Sequence, residues 1–231
     1  MMGISKIFST FIKNIQKSFT LPEAADASFS YPLCIITILA CVILFVVVIR
    51  ARKIKFTPQM VARLGLALAI TFILHAFKIF ELPNALGSIT LGSFIPLMII
   101  SFMYGPEIGM FTGFVYGILN LLMGGYMLNP VQVLFDYPLP FMCLGIAGFF
   151  KDKKFIGALV AVLFKFVCHF ISGVAFFGNY APKGMSPWVY SLVANGAAQG
   201  LECAICLVIL AILPVERLMR EVNRSSSIAK A

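Results

Sequence analysis

The sequence predicts an all-α membrane protein, because the chain is too apolar and too poor in charge for a soluble domain. Of its 231 residues, 61% are hydrophobic and 12% are charged, and the mean hydropathy is +0.99. A soluble domain of this length needs a charged surface that this composition does not supply. The apolar runs are long and unbroken, which favours spanning helices over the short alternating segments of a transmembrane barrel.

The first spanning helix is predicted at residues 31–49, which carry no charge and would form a helix about 28 Å long. No small-residue cleavage site follows it, so we expect the helix to be retained. The polar, turn-rich stretch Glu81–Ser93 is predicted to be a long loop. Six further spans are predicted at about 60–78, 91–104, 107–123, 130–150, 155–178 and 189–213.

The ends of the chain differ from the apolar middle. Residues 4–19 place apolar side chains at helical spacing between lysines, which predicts an amphipathic helix on the membrane surface, with a disordered tail as the alternative. The predicted organisation has four parts: residues 1–30 as amphipathic segment and linker, 31–59 as first helix and basic loop, 60–213 as the membrane domain, and 214–231 as a basic tail.

The distribution of positive charge predicts the orientation in the membrane. With seven spans, residues 50–63, 151–154 and 217–230 lie on one side, and they hold 12 of the 18 Lys and Arg residues. Cytoplasmic loops collect Lys and Arg, so this side and the C-terminus are predicted to be cytoplasmic. The same rule explains the net charge of +9 without nucleic acid, for which the sequence has no binding motif.

Asp136 is the first candidate site residue, because it lies several residues into the fifth predicted span. A charged side chain at membrane depth costs on the order of 2.5–3.5 kcal/mol. No cationic residue is near it in sequence. We therefore expect its partner to be either Lys165 on another helix or the positive charge of a ligand.

Lys165 and His169 are four residues apart, so both lie on one face of the sixth span. Histidine can donate and accept hydrogen bonds, which suits a heteroaromatic ligand; a hydrogen-bonded core histidine is the alternative. Asn195, Gln199 and Glu202 form a polar stripe on the last span. This stripe is predicted to face the bundle, where it would contact a ligand or bond between helices.

Aromatic side chains cluster at the predicted outer ends of the spans, at Tyr137, Tyr180, Trp188 and Tyr190. They would line a pocket or belong to an aromatic belt at the membrane interface. With the polar residues they predict an outward-facing pocket for a small, flat, cationic heterocycle, held by a carboxylate and by ring faces.

Several kinds of chemistry have no motif in the sequence. The phosphate-binding pattern G-x-x-x-x-G-K-[ST] does not occur, and no nucleophile and base stand in a convincing context for catalysis. The six cysteines lie in apolar runs, which is typical of packing residues rather than of disulfide or metal sites. The chain is therefore predicted to be neither an ATPase nor an enzyme.

Four stretches resemble one known family. "GSITLGSFIPL", "GFVYGILNLLMGG", "NPVQVLFDYPLPF" and "CHFISGVAFFGNYAPKGMSPWVYSLVANG" are similar to the thiamine-specific substrate-binding subunit (S-component, ThiT family) of energy-coupling factor transporters. The resemblance covers about residues 60–213. It implies a six-helix bundle, to which residues 31–49 would be one additional N-terminal helix, and it implies thiamine as ligand.

The resemblance also implies partners and site residues. Its partners would be a transmembrane T-component and two cytoplasmic ATPases, so ATP would not be a cofactor of this chain. The docking helix would present Gly65 and Ala69, whose small side chains permit close approach. The implied thiamine site comprises Asp136, Tyr137, His169, Tyr190, Asn195 and Phe177, to which the polar pattern adds Glu202 and Lys165.

This chain departs from the family at two of these positions. A family member carries Glu where this chain has Asp136 and Trp where it has Phe177, so affinity is expected to differ more than specificity. Two other functions stay open on the residues alone. One is a secondary transporter for a cationic amine that uses Asp136 and Glu202 for protons, and the other is an intramembrane enzyme.

Overall fold

Helices build most of the part of the chain that the computed structural model describes, which is residues 31–81 and 88–228. Two short 3-10 segments, Leu144–Phe150 and Gly178–Tyr180, lie between them. The described residues also form two strands, β1 (Lys78–Glu81) and β2 (Ser88–Thr90). The α-helices are α1 (Tyr31–Ala51), α2 (Pro58–Ala76), α3 (Ile95–Tyr104), α4 (Pro106–Leu122), α5 (Pro130–Asp136), α6 (Pro138–Cys143), α7 (Lys154–Phe176), α8 (Pro187–Ile212) and α9 (Val215–Ile228). The amphipathic helix predicted at residues 4–19 and the linker after it lie outside the described residues.

The predicted multi-pass, all-α membrane fold is confirmed. Four helical segments of the described chain are long and apolar enough to cross a membrane, namely Pro58–Ala76, Pro130–Phe150, Lys154–Phe176 and Pro187–Ile212. Shorter apolar helices cover Ile35–Ala51 and Ile95–Tyr104. The predicted boundaries of these helices agree with the structure to within a few residues, because hydrophobic length is a local property of the sequence.

The first helix, α1, packs on the bundle with one side only. Ala40 and its neighbour Leu44 contact a cluster that contains Phe135 of α5 and Leu139 of α6. The other side of α1 is exposed, including Phe45. An apolar helix surface of this kind is stable against lipid, so α1 is an added layer on the outside of the bundle.

The fifth predicted span, residues 130–150, is continuous in sequence but broken in the structure. Pro138 begins α6, and proline lacks the N–H that would continue α5 and disfavours helical backbone in the residue before it. Tyr137 accordingly has φ −121° and ψ −79°. The break puts Asp136 and Tyr137 at a point where the backbone turns, so their side chains need not follow one helix face.

A neighbouring helix passes this break at very close range. A Cβ atom on Gly117 of α4 would stand 2.5 Å from the carbonyl oxygen of Tyr137 and 2.8 Å from the Cα atom of Pro138. Contacts this short are too close for any side chain. Glycine at this position therefore allows α4 to support the break from behind.

Part of the predicted long loop at residues 81–93 forms a hairpin instead. The strands β1 and β2 are antiparallel, with Lys78 opposite Thr90 and Glu81 opposite Ser88. The prediction was wrong here because strands of three or four residues are too short to show the alternation that identifies a strand. Residues 82–87, between the strands, lie outside the described part.

The predicted basic tail contains a further helix, α9. Val215 at its start is buried, and Met219 packs against the main core cluster. Arg217 and Arg220 are exposed on the same helix. The helix thus covers one end of the bundle with an apolar face and carries positive charge outward.

The close passage of α4 gives a test of the fold. Gly117→Val should destabilise the protein by about 1–3 kcal/mol or more, because the added atoms meet backbone that cannot move aside. Thermal unfolding in detergent would measure the change. Gly200→Val is the matched control, because no atom lies within 4 Å of a Cβ there. An unchanged midpoint for Gly117→Val would contradict the close approach.

Candidate ligand-binding site

A cavity of about 450 Å³ lies within the bundle. Residues of α2, both strands, α4, α5, α6, α7 and α8 line it, together with the loop that follows α4. This volume is in the range typical of small-molecule sites. Most of the predicted site residues are on its walls, namely Asp136, Tyr137, Lys165, His169, Phe177 and Asn195.

A chain of polar contacts runs along one wall from α5 to α8. The Nδ1 atom of His169 lies 3.4 Å from Oδ1 of Asp136. The Nε2 atom of the same ring lies 2.9 Å from Nζ of Lys165, which donates to Oε1 of Gln199 at 3.1 Å. The direct pair of Asp136 with Lys165 is therefore not formed, and the positive charge of a ligand stays the other predicted partner. The carboxylate contacts His169, and Lys165 is reached only through that ring.

These contacts set the proton on the imidazole of His169. A lysine ammonium can only donate, so Nε2 of His169 accepts from Lys165. The proton of the neutral ring is then on Nδ1, from which it is donated to Asp136. The wall thus carries a carboxylate, a neutral histidine and an ammonium, with both ring nitrogens already occupied.

Lys165 is almost completely buried, with 3% of its surface exposed. Its ammonium lies 4.4 Å from the ring centroid of Phe94 and 5.0 Å from that of Phe141. Ring faces attract a cation, and a buried charge is tolerated only when such contacts and hydrogen bonds replace water. The two rings and Gln199 therefore hold the lysine in place inside the bundle.

Asp136 is held from its own helix as well. Nε2 of Gln132 donates to Oδ2 of Asp136 at 2.5 Å, and Oε1 of Gln132 accepts from the backbone N–H of Leu128 at 2.9 Å. Asn129 caps the start of α5 by accepting from the backbone N–H of Gln132. The carboxylate is thereby aimed into the cavity before any ligand is present.

Asn195 joins α7 and α8 at the cavity. Its Nδ2 donates to the carbonyl oxygen of His169 at 3.3 Å and to Oγ of Ser191 at 3.1 Å. A Cβ atom on Gly173 would stand 2.8 Å from this nitrogen, so glycine is required for the approach of the two helices. The amide oxygen of Asn195 is left to accept from a bound molecule, since no bond to it occurs among the described residues.

Glu202 belongs to the same stripe as Asn195 and Gln199, but it has a different place. It is 1% exposed and is not among the residues that line the cavity. Its carboxylate accepts from the backbone N–H of Thr90 at 2.5 Å, from the hydroxyl of Thr90 at 2.5 Å and from the backbone N–H of Ser93 at 3.2 Å. Glu202 therefore clamps β2 and the turn after it to α8.

An aromatic wall stands beside the carboxylate. The ring centroid of Phe177 lies 6.1 Å from those of Tyr126 and Tyr180. The hydroxyl of Tyr137 donates to the carbonyl oxygen of Tyr126 at 3.1 Å. Burial raises the pKa of Tyr126, and its hydrogen bond with Tyr180 raises it further. Both effects keep the phenol of Tyr126 neutral, so this wall offers ring faces without negative charge.

Two aromatic residues considered from the sequence lie away from the cavity walls. Tyr190 is 8% exposed, and its buried hydroxyl has no hydrogen-bond partner within the described residues. Trp188 is 63% exposed and packs against Phe170 at 5.8 Å between ring centroids. The exposure of Trp188 agrees with a place in the aromatic belt at the membrane interface.

Sequence reasoning missed several residues of the cavity walls. Tyr126 and Gln132 are near Asp136 in sequence, so proximity to that residue could have suggested them. No pattern marked Phe94, His75 or Asn120, because each lies in a separate helix or turn with ordinary apolar neighbours.

Comparison with known proteins decides the family. The family profile described as "Thiamine transporter protein" matches residues 61–221. The chain belongs to this family. The match begins after α1, so that helix lies outside the matched region, and the match includes every residue that lines the cavity.

Two relatives from this family match the chain over most of their own length. The thiamine transporter ThiT of Lacticaseibacillus paracasei is 32% identical over 167 residues, which are 64% of this chain and 80% of the relative. The thiamine transporter ThiT of Bacillus subtilis is 34% identical over 144 residues, which are 55% and 74% of the two chains.

A solved structure shares the fold. ThiT from Listeria monocytogenes superposes with a TM-score of 0.62 and covers 68% of this chain and 93% of its own. The sequence identity in this comparison is 23%, so the likeness concerns the arrangement of the helices.

The clamp at Glu202 gives a test of how the cavity wall is held. Glu202→Gln should destabilise the protein by about 1–3 kcal/mol, because the charge-assisted bonds to β2 become weaker and one acceptor oxygen is lost. Amide hydrogen exchange at Thr90 and Ser93 should accelerate in the variant. Glu107→Gln is the control, because that carboxylate is 52% exposed in its ion pair with Arg50. Equal exchange in both variants would contradict the clamp.

Proposed function

We propose that this chain is the thiamine-binding subunit of an energy-coupling factor transporter, which captures thiamine on the outer face and releases it to the cytoplasm together with a T-component and two ATPases. The observation that carries the proposal is the cavity wall on which Asp136, His169 and Asn195 converge beside the ring of Phe177. The membership of the chain in the thiamine transporter family supports the choice of ligand.

The chemistry of this wall fits the two rings of thiamine. The exocyclic amino group of an aminopyrimidine is a donor, which suits the carboxylate of Asp136. The amide oxygen of Asn195 can accept from the same kind of donor, while both N–H groups of its nitrogen already donate to His169 and Ser191. The positive thiazolium is stabilised by the same carboxylate and by the ring faces of Phe177 and Tyr126.

The positions of the charged residues support the proposed orientation. Arg50 at the end of α1 lies 3.4 Å from Glu107 at the start of α4, and Lys154 at the start of α7 lies 3.7 Å from Glu216 in α9. The basic loops therefore meet at one end of the bundle. Of these four helices, α4 and α7 line the cavity, and they do so with their opposite ends, so a cytoplasmic basic side leaves the cavity near the outer surface.

The proposed docking face for the T-component is on α2. Gly65 and Ala69 are exposed and lie one turn apart, and a Cβ atom on Gly65 would meet no atom within 4 Å. Leu66 and Ile73 add exposed apolar surface on the same helix. Small residues on a helix surface permit close approach of a second helix in the membrane. The added helix α1 packs on α4 and on the cluster that contains Phe135 of α5 and Leu139 of α6, so it leaves this face uncovered.

A secondary transporter that uses Asp136 and Glu202 for protons is the second candidate. The contacts of Glu202 speak against it, because its carboxylate is sealed from the cavity and already accepts three hydrogen bonds. Uptake by the chain alone, abolished by an uncoupler, would favour this candidate over the first.

Binding of thiamine to the purified chain in detergent tests the proposal. We expect saturable binding at one site per chain without ATP or partner proteins. Asp136→Asn should weaken it more than tenfold, because a charge-assisted hydrogen bond is lost. Titration calorimetry is the suitable method. Tryptophan fluorescence is less suitable, because Trp188 is exposed and lies off the cavity. Glu107→Gln is the control, and affinity unchanged by Asp136→Asn would contradict the assigned role.

The docking face gives a separate prediction. Gly65→Leu should abolish co-purification with the T-component and ATPases and reduce thiamine uptake, because the bulky side chain prevents close helix approach. Thiamine binding by the isolated variant should be unchanged. Gly200→Leu on α8 is the matched control, since a Cβ there also meets no atom within 4 Å. Intact assembly of Gly65→Leu would rule out this face.

A further inference from the structure

The two histidines of the chain both line the cavity, but they differ in what they can offer a ligand. Both ring nitrogens of His169 are occupied, one by Asp136 and the other by Lys165. Its ring can therefore stack on a bound molecule, but it has no free N–H to donate a hydrogen bond to that molecule. The other histidine, His75, is in the last turn of α2 on a different wall.

The ring of His75 packs against an aromatic side chain of the bundle and also lines the cavity. Its centroid lies 6.2 Å from that of Tyr116, whose ring packs at a tilt against Phe72 with 4.8 Å between centroids. Its Nδ1 atom is buried and has no hydrogen-bond partner among the described residues. Nε2 is the nitrogen that remains for a molecule in the cavity.

The burial of Nδ1 also indicates where the proton of a neutral His75 ring lies. A buried N–H without an acceptor is rarer in proteins than a buried lone pair without a donor. The favoured tautomer therefore leaves Nδ1 bare and carries the proton on Nε2. In this tautomer His75 presents an N–H donor to the cavity.

The surroundings of His75 differ in charge from the wall at Asp136. Asn120 of α4, one turn after Tyr116, also lines the cavity, as do Ser88 of β2 and Lys78 of β1. This wall has polar groups but no carboxylate on the cavity surface within the described residues. It suits an uncharged oxygen acceptor and disfavours a cationic ring.

We propose that His75 is a specificity-determining residue, whose Nε2–H donates to the hydroxyl oxygen at the hydroxyethyl end of the ligand while the cationic rings lie against Asp136 and Phe177. This inference rests on the proposed function, since it assumes a thiamine-like molecule in the cavity. It assigns the two ends of that molecule to walls of different charge.

The test compares thiamine with an analogue that has an ethyl group in place of the hydroxyethyl group. The wild-type chain should bind thiamine about three- to tenfold more tightly than the analogue, as expected for one neutral hydrogen bond. In His75→Phe this ratio should fall to about one, because the ring is kept and the donor is lost. Titration calorimetry of both ligands gives the ratio directly.

Two amide variants locate the donor on the ring. The side-chain nitrogen of glutamine can take the place of Nε2, and that of asparagine can take the place of Nδ1. We expect His75→Gln to keep the preference for thiamine and His75→Asn to lose it. A preference that survives in His75→Phe, or that asparagine restores and glutamine does not, would overturn the inference.

The outcome is separable from the test of the proposed function. Asp136→Asn should weaken both ligands by a similar factor and leave their ratio unchanged. A wild-type chain that binds neither ligand would overturn the proposed function and this inference together. Thiamine binding with a ratio that does not depend on residue 75 would overturn this inference alone.

Discussion

The buried ammonium of Lys165 is the charge on which the arrangement of the cavity depends. A lysine with 3% exposure would be very unfavourable without replacement of its water shell. His169 and Gln199 accept its hydrogen bonds, and Phe94 and Phe141 give it ring faces. Because Lys165 occupies Nε2 of His169, the ring must turn Nδ1 to Asp136. One buried charge thus orders three helices and orients the carboxylate that we propose to bind thiamine.

Irregular backbone is the second feature that builds the site. Within a membrane, backbone that is neither helix nor closed sheet is stable only when protein or a cavity surrounds it. The break at Tyr137 meets this condition because Gly117 lets α4 pack directly against it. The turn after β2 meets it because Glu202 accepts its backbone N–H groups. Both irregular segments carry residues of the cavity wall, Tyr137 in the break and Thr90 in β2, so the site lies where the backbone departs from regular helices.

The division of the bundle into two ends connects the site to transport. Basic residues meet at one end, while the cavity lies towards the other. The side of α2 that carries Gly65 is open between these ends, and α1 packs elsewhere. The family profile begins at residue 61, so α1 is an addition that neither lines the cavity nor covers that open side. The binding subunit that we propose keeps both surfaces, because α1 covers neither of them.

The sequence by itself determined the membrane class, the approximate spans and the polar residues at membrane depth. These follow from local properties, since hydrophobic length and the cost of a buried charge are visible one segment at a time. Only the tertiary structure decided which polar groups meet. It paired Asp136 with His169 instead of Lys165, turned Glu202 to β2 and brought His75 to the cavity. Each of these outcomes depends on contacts between segments far apart in the chain. A short hairpin, a proline break and a glycine determine how closely these segments approach one another, and one segment read alone does not show that distance.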